Sequence, residues 1–189
     1  MSQAAAKNTQ SSKFSVRDIC YAGLFAAVIA VMAQISIPMP LGVPMTMQTF
    51  AITLAAVVLG SKLSAMASLV YLILGAVGVP VLASFSGGID KFVGPTGGFL
   101  ISFPLMAYLI GLGVEHRNAF KGAFPLAVVV GTVVNYIVGV ILFVIVAHST
   151  VAVAISACVL PFIPTAIIKA VLACAIGLNI RKRIPGLKA

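Results

Sequence analysis

Acidic residues are nearly absent from this chain: three in 189, against twelve lysines and arginines. Charged residues of both signs make up 8% of the sequence and hydrophobic ones 61%. A water-soluble domain of this length needs a far more polar surface, so that class is excluded and the chain reads as an all-α integral membrane protein. The chemistry is as sparse as the charge. No GxxxxGK[ST] stretch occurs, so the chain has no phosphate-cradling loop with which to hydrolyse ATP. Cys20, Cys158 and Cys174 lie in apolar surroundings without paired spacing and read as free packing residues. His148 is followed directly by Ser149, and sequence neighbours do not face each other on a helix. His116 has only Glu115 beside it as a second metal ligand. The expectation is a protein that is not an enzyme, with no catalytic residue, no metal site and no cofactor of its own.

What charge there is has a pattern. The formal net charge of +9 would suit nucleic acid or a membrane surface, and its distribution decides between them. Ten of the twelve basic residues fall in the amino-terminal tail, in alternate loops (Lys62, Arg117, Lys121) and in the carboxy-terminal tail. That is the positive-inside arrangement of a multi-pass protein, so the charge reports topology and nucleic acid is excluded as a partner. The polar residues 1–17 lack the cleavage-site pattern of a secretory signal, and the apolar run after them is long enough to stay in the bilayer.

Apolar runs divide residues 18–180 into six expected crossings, each needing about 20 residues to span. They cover residues 18–37, 46–60, 64–77, 98–113, 124–147 and 164–179. The second and third are short, which implies buried, non-helical ends. Pro38, Pro40 and Pro44 forbid a helix in the first connection, and Pro161 and Pro164 break or bend the chain before the last crossing. Residues 151–162 are expected to lie across the outer surface or to extend the fifth helix. Six crossings put both termini, residues 1–17 and 181–189, in the cytoplasm of a cell whose plasma membrane holds the protein. The proline-rich connection, the glycine-rich connection and the double-proline break then share the outer face.

The glycine-rich connection, GVPVLASFSGGIDKFVGPTGGF (residues 78–99), carries six glycines and two prolines yet keeps apolar side chains throughout. Irregular backbone of that composition must fold onto protein or line a cavity, because lipid cannot satisfy its amides. It reads as the lid or wall of a ligand site. Lys169, inside the apolar run AIIKAVLACAIG, is the sharpest single signal: an ammonium there either snorkels to the interface or marks a substrate path. Alanine and threonine stand three and four residues before it, so its partner is Asp90 of the glycine-rich connection or a group on a ligand. Gln48 is either a ligand donor or a helix-end hydrogen bond. Asn135 and Tyr136, between Gly131 and Gly139, are either interhelical contacts or site residues, and Tyr71 reads as packing. Asp90 is as consistent with a solvated loop residue as with a ligand contact. Ala22, Ala26 and Ala30 form a small-residue stripe at four-residue spacing, which lets another helix approach closely, in this chain or a partner's.

The pieces IPMP…VPMTMQT (residues 37–49) and GPTGG (residues 94–98) closely resemble the BioY family, and the likeness extends over about residues 21–179. These are the biotin-specific membrane subunits, or S-components, of energy-coupling factor (ECF) transporters. The resemblance implies six helices with both termini inside and a biotin pocket near the outer face. Phe85 and aliphatic neighbours would then hold the rings and valeryl chain, Lys169 and Gln48 the polar ends, and backbone amides of Gly87 and Gly88 would add donors. It also implies that Ala22, Ala26 and Ala30 dock on the transmembrane coupling subunit, which works with a pair of ABC-type ATPases. One departure stands out. Family members usually read LPFxPGDLIK before the last helix, whereas this chain reads LPFIPTAIIK, keeping Lys169 but placing Thr165 and Ala166 where the Gly-Asp pair is expected. The missing acceptor falls to Asp90, Asn135 or Thr165, or the ligand is another small vitamin or a lipoate-like acid. The remaining alternative is a structural membrane protein with no ligand.

Overall fold

The computed structural model describes residues 15–39, 42–117 and 122–184. Helix α1 (Val16–Ala33) starts where the Asp18 carboxylate accepts a hydrogen bond from the Ser15 backbone N–H at 3.0 Å, the acidic half of a capping box. It ends four residues before the predicted limit at Ile37, because the chain there enters a hairpin of two-residue strands. Strand β1 (Ser36–Ile37) pairs antiparallel with β2 (Met45–Thr46), Ser36 opposite Thr46 and Ile37 opposite Met45.

Helices α2 (Gln48–Leu59) and α3 (Ser61–Ala76) are separated by Gly60 alone, at φ +85°. A side chain at that position would be strained and would run into the Glu115 carboxylate. The glycine-rich connection is built rather than loose. It contains a 3-10 turn (Ala83–Phe85), a bridge in which the Leu82 N–H reaches the Ser86 carbonyl at 2.9 Å, and the short helix α4 (Asp90–Val93). Helix α5 (Gly97–Glu115) follows, then α6 (Ala123–Val146). Residues 151–162 do not extend α6. The chain reverses at His148 (φ +47°), forms α7 (Val151–Cys158) packed back on α6, and passes a 3-10 turn (Leu160–Phe162) into α8 (Ile163–Arg183).

α2 is the hub. It is apolar around its circumference and rich in small side chains, so neighbours close over every face: α8, α5, α1 and α3 all pack on it. α5 lies between α3 and α6, and α3 also packs along α1. α6 and α8 make at most marginal contact with each other, and both leave large aliphatics on the outside, among them Val133, Ile137, Ile141, Ile168, Val171 and Leu172. Among the described residues, α1, α5, α6 and the run from α7 through α8 are long and apolar enough to cross a membrane, whereas α2 and α3 are shorter apolar helices.

The end of the bundle remote from the hairpin is closed by two charged side chains. Glu115 accepts from the Ser61 backbone N–H at 2.7 Å and from its hydroxyl at 2.9 Å, satisfying a donor at the start of α3. Arg181 donates to the carbonyls of Val57 and Val58 at 3.2 and 3.0 Å, satisfying the end of α2. Arg181, expected in a solvated tail, is therefore a buried part of α8, which continues to Arg183. The remaining tail residues, 1–14 and 185–189, lie outside the described residues.

Candidate functional site

At the hairpin end, the space between α2, α5, α6 and α8 is a cavity of about 300 Å³. The hairpin connection (Val43, Pro44, Thr46) and the glycine-rich connection (Leu82, Ala83, Ser84, Ser86) form its outer rim. Its walls are aromatic. Phe99 and Phe103 sit one turn apart and therefore share a face of α5. Tyr136 meets Phe99 edge to face, with centroids 6.4 Å apart at 80°, and Phe162 closes the side toward α7.

Four polar side chains predicted for the site converge here: Lys169, Gln48, Asn135 and Thr165, with Tyr136 among the aromatics. The half-buried Lys169 does not snorkel away; its Nζ donates to the Thr46 carbonyl at 2.7 Å. An ammonium has three protons, so this single bond leaves donors for a ligand. Gln48 lines the cavity, while its Oε1 accepts from the Thr46 hydroxyl at 2.8 Å and its Nε2 donates to the Tyr71 hydroxyl. Tyr71 is fully buried, as its packing role required. Asn135 binds across to α5, donating to the Phe99 carbonyl at 3.0 Å and the Ser102 hydroxyl at 2.7 Å. Thr165 Oγ1 donates to the Phe162 carbonyl at 2.9 Å, which leaves its oxygen as an acceptor. A smaller void of about 20 Å³ continues below, bordered by Thr53, Thr132, Asn135, Ala166 and Lys169.

Other predicted residues fall elsewhere. Phe85 points outward and is 72% exposed, while its backbone N–H is held by Gln34 Oε1 at 2.7 Å. Gly87 and Gly88 lie against the end of α3 rather than over the cavity: a Cβ on Gly87 would meet the Val79 carbonyl, and the Gly88 N–H is committed to the Gly75 carbonyl at 2.7 Å. Asp90 does not reach Lys169; it is an exposed partner of Lys91 at 3.1 Å and is not in the cavity wall. The physical reason is shared. The connection folds down onto the α3 terminus, so Leu82, Ala83, Ser84 and Ser86, not Phe85 or the glycine pair, face the ligand space. The small-residue stripe is corrected too. Ala22 and Ala26 are buried at 2% and 3% inside the bundle and Ala30 packs against the same core, so they serve contacts within this chain.

Sequence reasoning missed Lys91, Thr96, Phe99, Phe103 and Phe162 as lining residues. The four-residue spacing of Phe99 and Phe103 was the available signal. It also missed Gln34, whose Nε2 bridges the Ala30 and Val81 carbonyls at 2.8 and 3.2 Å and so pins the glycine-rich connection to α1. A helical membrane protein with an aromatic-walled cavity carrying two lysines and two amides on its walls belongs to the class of membrane ligand-binding proteins.

The chain belongs to the BioY family, whose sequence profile matches residues 6–186. It is 42% identical over 168 residues to the biotin transporter BioY of Thermotoga maritima, covering 88% of this chain and 97% of that one. It is 34% identical over 186 residues to the biotin transporter BioY of Rhizobium etli, covering 93% and 98% of the two chains. In three dimensions it resembles the S-component for biotin from an ECF-type ABC transporter, a crystal structure at 2.1 Å, with a TM-score of 0.80 at 27% identity over 89% of this chain and 93% of that one.

Proposed function

We propose that this chain is the substrate-binding membrane subunit of a biotin uptake transporter of the ECF type. The observation that carries the reading is the cavity itself: apolar and aromatic walls that fit a hydrocarbon ligand, with Lys169 and a few fixed polar groups to orient it. Biotin has that character, a fused ring system and an aliphatic chain ending in polar groups at both ends. In this reading the protein crosses the plasma membrane six times, α2 and α3 included, with both termini in the cytoplasm and the cavity opening outward. Import is driven by a transmembrane coupling subunit and a pair of ABC-type ATPases, which bind the ATP. This chain contributes no nucleotide site and no cofactor, and lipid surrounds α6 and α8.

Equilibrium binding of radiolabelled biotin to the detergent-purified protein tests this. Saturable binding that unlabelled biotin displaces is the expected result. A folded protein that binds a lipoate-like acid or another vitamin but not biotin would transfer the reading to that ligand, an outcome that Ala166 makes specific. A folded protein that binds none of them would sink the reading.

A further inference from the structure

Among the polar side chains of the cavity, Asn135 is the most completely constrained. It is 2% exposed, and both hydrogens of its amide are committed to α5. The Phe99 carbonyl can only accept, so the NH₂ group must face it and the orientation of the amide is fixed chemically. The Ser102 hydroxyl spends its own proton on the Gly98 carbonyl at 2.9 Å, which makes it an acceptor toward Asn135 as well. Oδ1 is thereby turned the other way. Among the described residues nothing donates to it, although Asn135 borders both the main cavity and the small void beneath. An unpaired amide oxygen in a nearly buried site costs free energy unless something supplies a donor.

The opposite wall makes no bond to it in this structure. Ala166 borders the same two spaces and has no polar atom. Lys169 also borders both, and its single bond to Thr46 leaves it donors for a ligand. The site thus presents a donor from α8 and an acceptor from α6, across the seam where those two helices barely meet. A cyclic urea has the complementary pair, a carbonyl that accepts and an adjacent N–H that donates.

We infer that Asn135 is the specificity-determining acceptor of the cavity: its Oδ1 takes an N–H of the ligand head group, so that the site selects a cyclic urea over acids of similar shape with no N–H to give. This rests on the reading that biotin is the ligand, and it adds which atom distinguishes biotin from a lipoate-like competitor. The amide does this without adding a second charge.

The test uses three forms of the full-length protein (wild type, Asn135→Leu and Asn135→Asp) and two probes, biotin and lipoic acid, in displacement of radiolabelled biotin, with thermal melting as the control for folding. Both substitutions disturb the contacts to Phe99 and Ser102, but only the leucine abolishes the acceptor. The expected result is that Asn135→Leu narrows the preference for biotin over lipoic acid by about tenfold or more, the scale of one hydrogen bond in a closed site, whereas Asn135→Asp retains it even if it melts earlier. Equal selectivity in Asn135→Leu and wild type would overturn the inference while leaving biotin binding intact. So would an equal loss of selectivity in both variants, which would mark the residue as structural. If the leucine variant does not fold, selectivity in Asn135→Asp decides: retention supports the acceptor role and loss overturns it. Wild type that binds no biotin would instead remove the reading on which the inference stands.

Discussion

Lys169 Nζ donates to the Thr46 carbonyl at 2.7 Å, a bond across 123 residues that ties α8 to strand β2 of the hairpin. The lysine is thus held in place before any ligand arrives, and it lines the cavity with two protons still to donate. Removing it takes away a charged donor, whose hydrogen bonds contribute about 1.5–3 kcal/mol each. Lys169→Ala should weaken biotin binding about tenfold to a hundredfold in an equilibrium binding assay, with folding preserved because Thr46 lies at the rim of the cavity. Unchanged affinity would refute this placement of the ligand.

Gln34 controls the rim in another way. Its side chain holds three backbone groups, the Ala30 and Val81 carbonyls and the Phe85 N–H. Gln34→Leu is one heavy atom shorter and apolar, and makes none of these bonds. Residues 79–90 should then exchange amide hydrogens and be cut by protease severalfold faster than in wild type, and biotin should dissociate faster while the rest of the bundle keeps its protection. Uniform protection across wild type and variant would show that the connection holds itself in place.

Neighbouring alanines on α1 should behave oppositely. Ala26 is buried at 3%, whereas Ala27 is exposed. Ala26→Leu forces extra methylenes into a filled core, an overpacking that costs about 1–3 kcal/mol. It should lower the melting temperature in detergent by several degrees, and Ala27→Leu should leave it nearly unchanged. The reverse order would mean that α1 is rotated from the face described.

Gly60→Ala combines a left-handed backbone angle with a collision against Glu115. A cost of about 1–3 kcal/mol is expected, read as a lower melting temperature. Shortening the obstacle should relieve part of it. The double variant with Glu115→Ala should therefore be less destabilised than the sum of the two singles, a coupling that a double-mutant cycle measures directly.

The fold was legible in this chain wherever hydrophobicity set the answer. Runs of apolar residues located α5, α6 and α8 to within a few positions, and the paired prolines announced the break before α8. The site was legible where a residue was chemically out of place: Lys169 in an apolar helix and Asn135 between two glycines. What could not be read was direction. Phe85, Gly87 and Gly88 lie in the right connection, but which side of it faces inward depends on hydrogen bonds to Gln34 and Gly75, partners distant in sequence. The alanine stripe failed for a related reason. Small residues permit close approach without stating whose helix approaches, and here α2 and α3 fill the groove first.

The covering of α2 has one more consequence, for how such a protein is suited to different membranes. A helix of 12 residues rises about 18 Å, well short of the roughly 30 Å hydrocarbon layer, yet almost none of it is in contact with lipid. Its length is therefore set by its protein neighbours and not by the bilayer. In the six-crossing reading the bilayer meets the outer faces of α1, α3, α5, α6 and α8, all of which carry large exposed aliphatics. A change in membrane thickness can be met there by longer or shorter aliphatic belts, while α2 at the centre keeps its length.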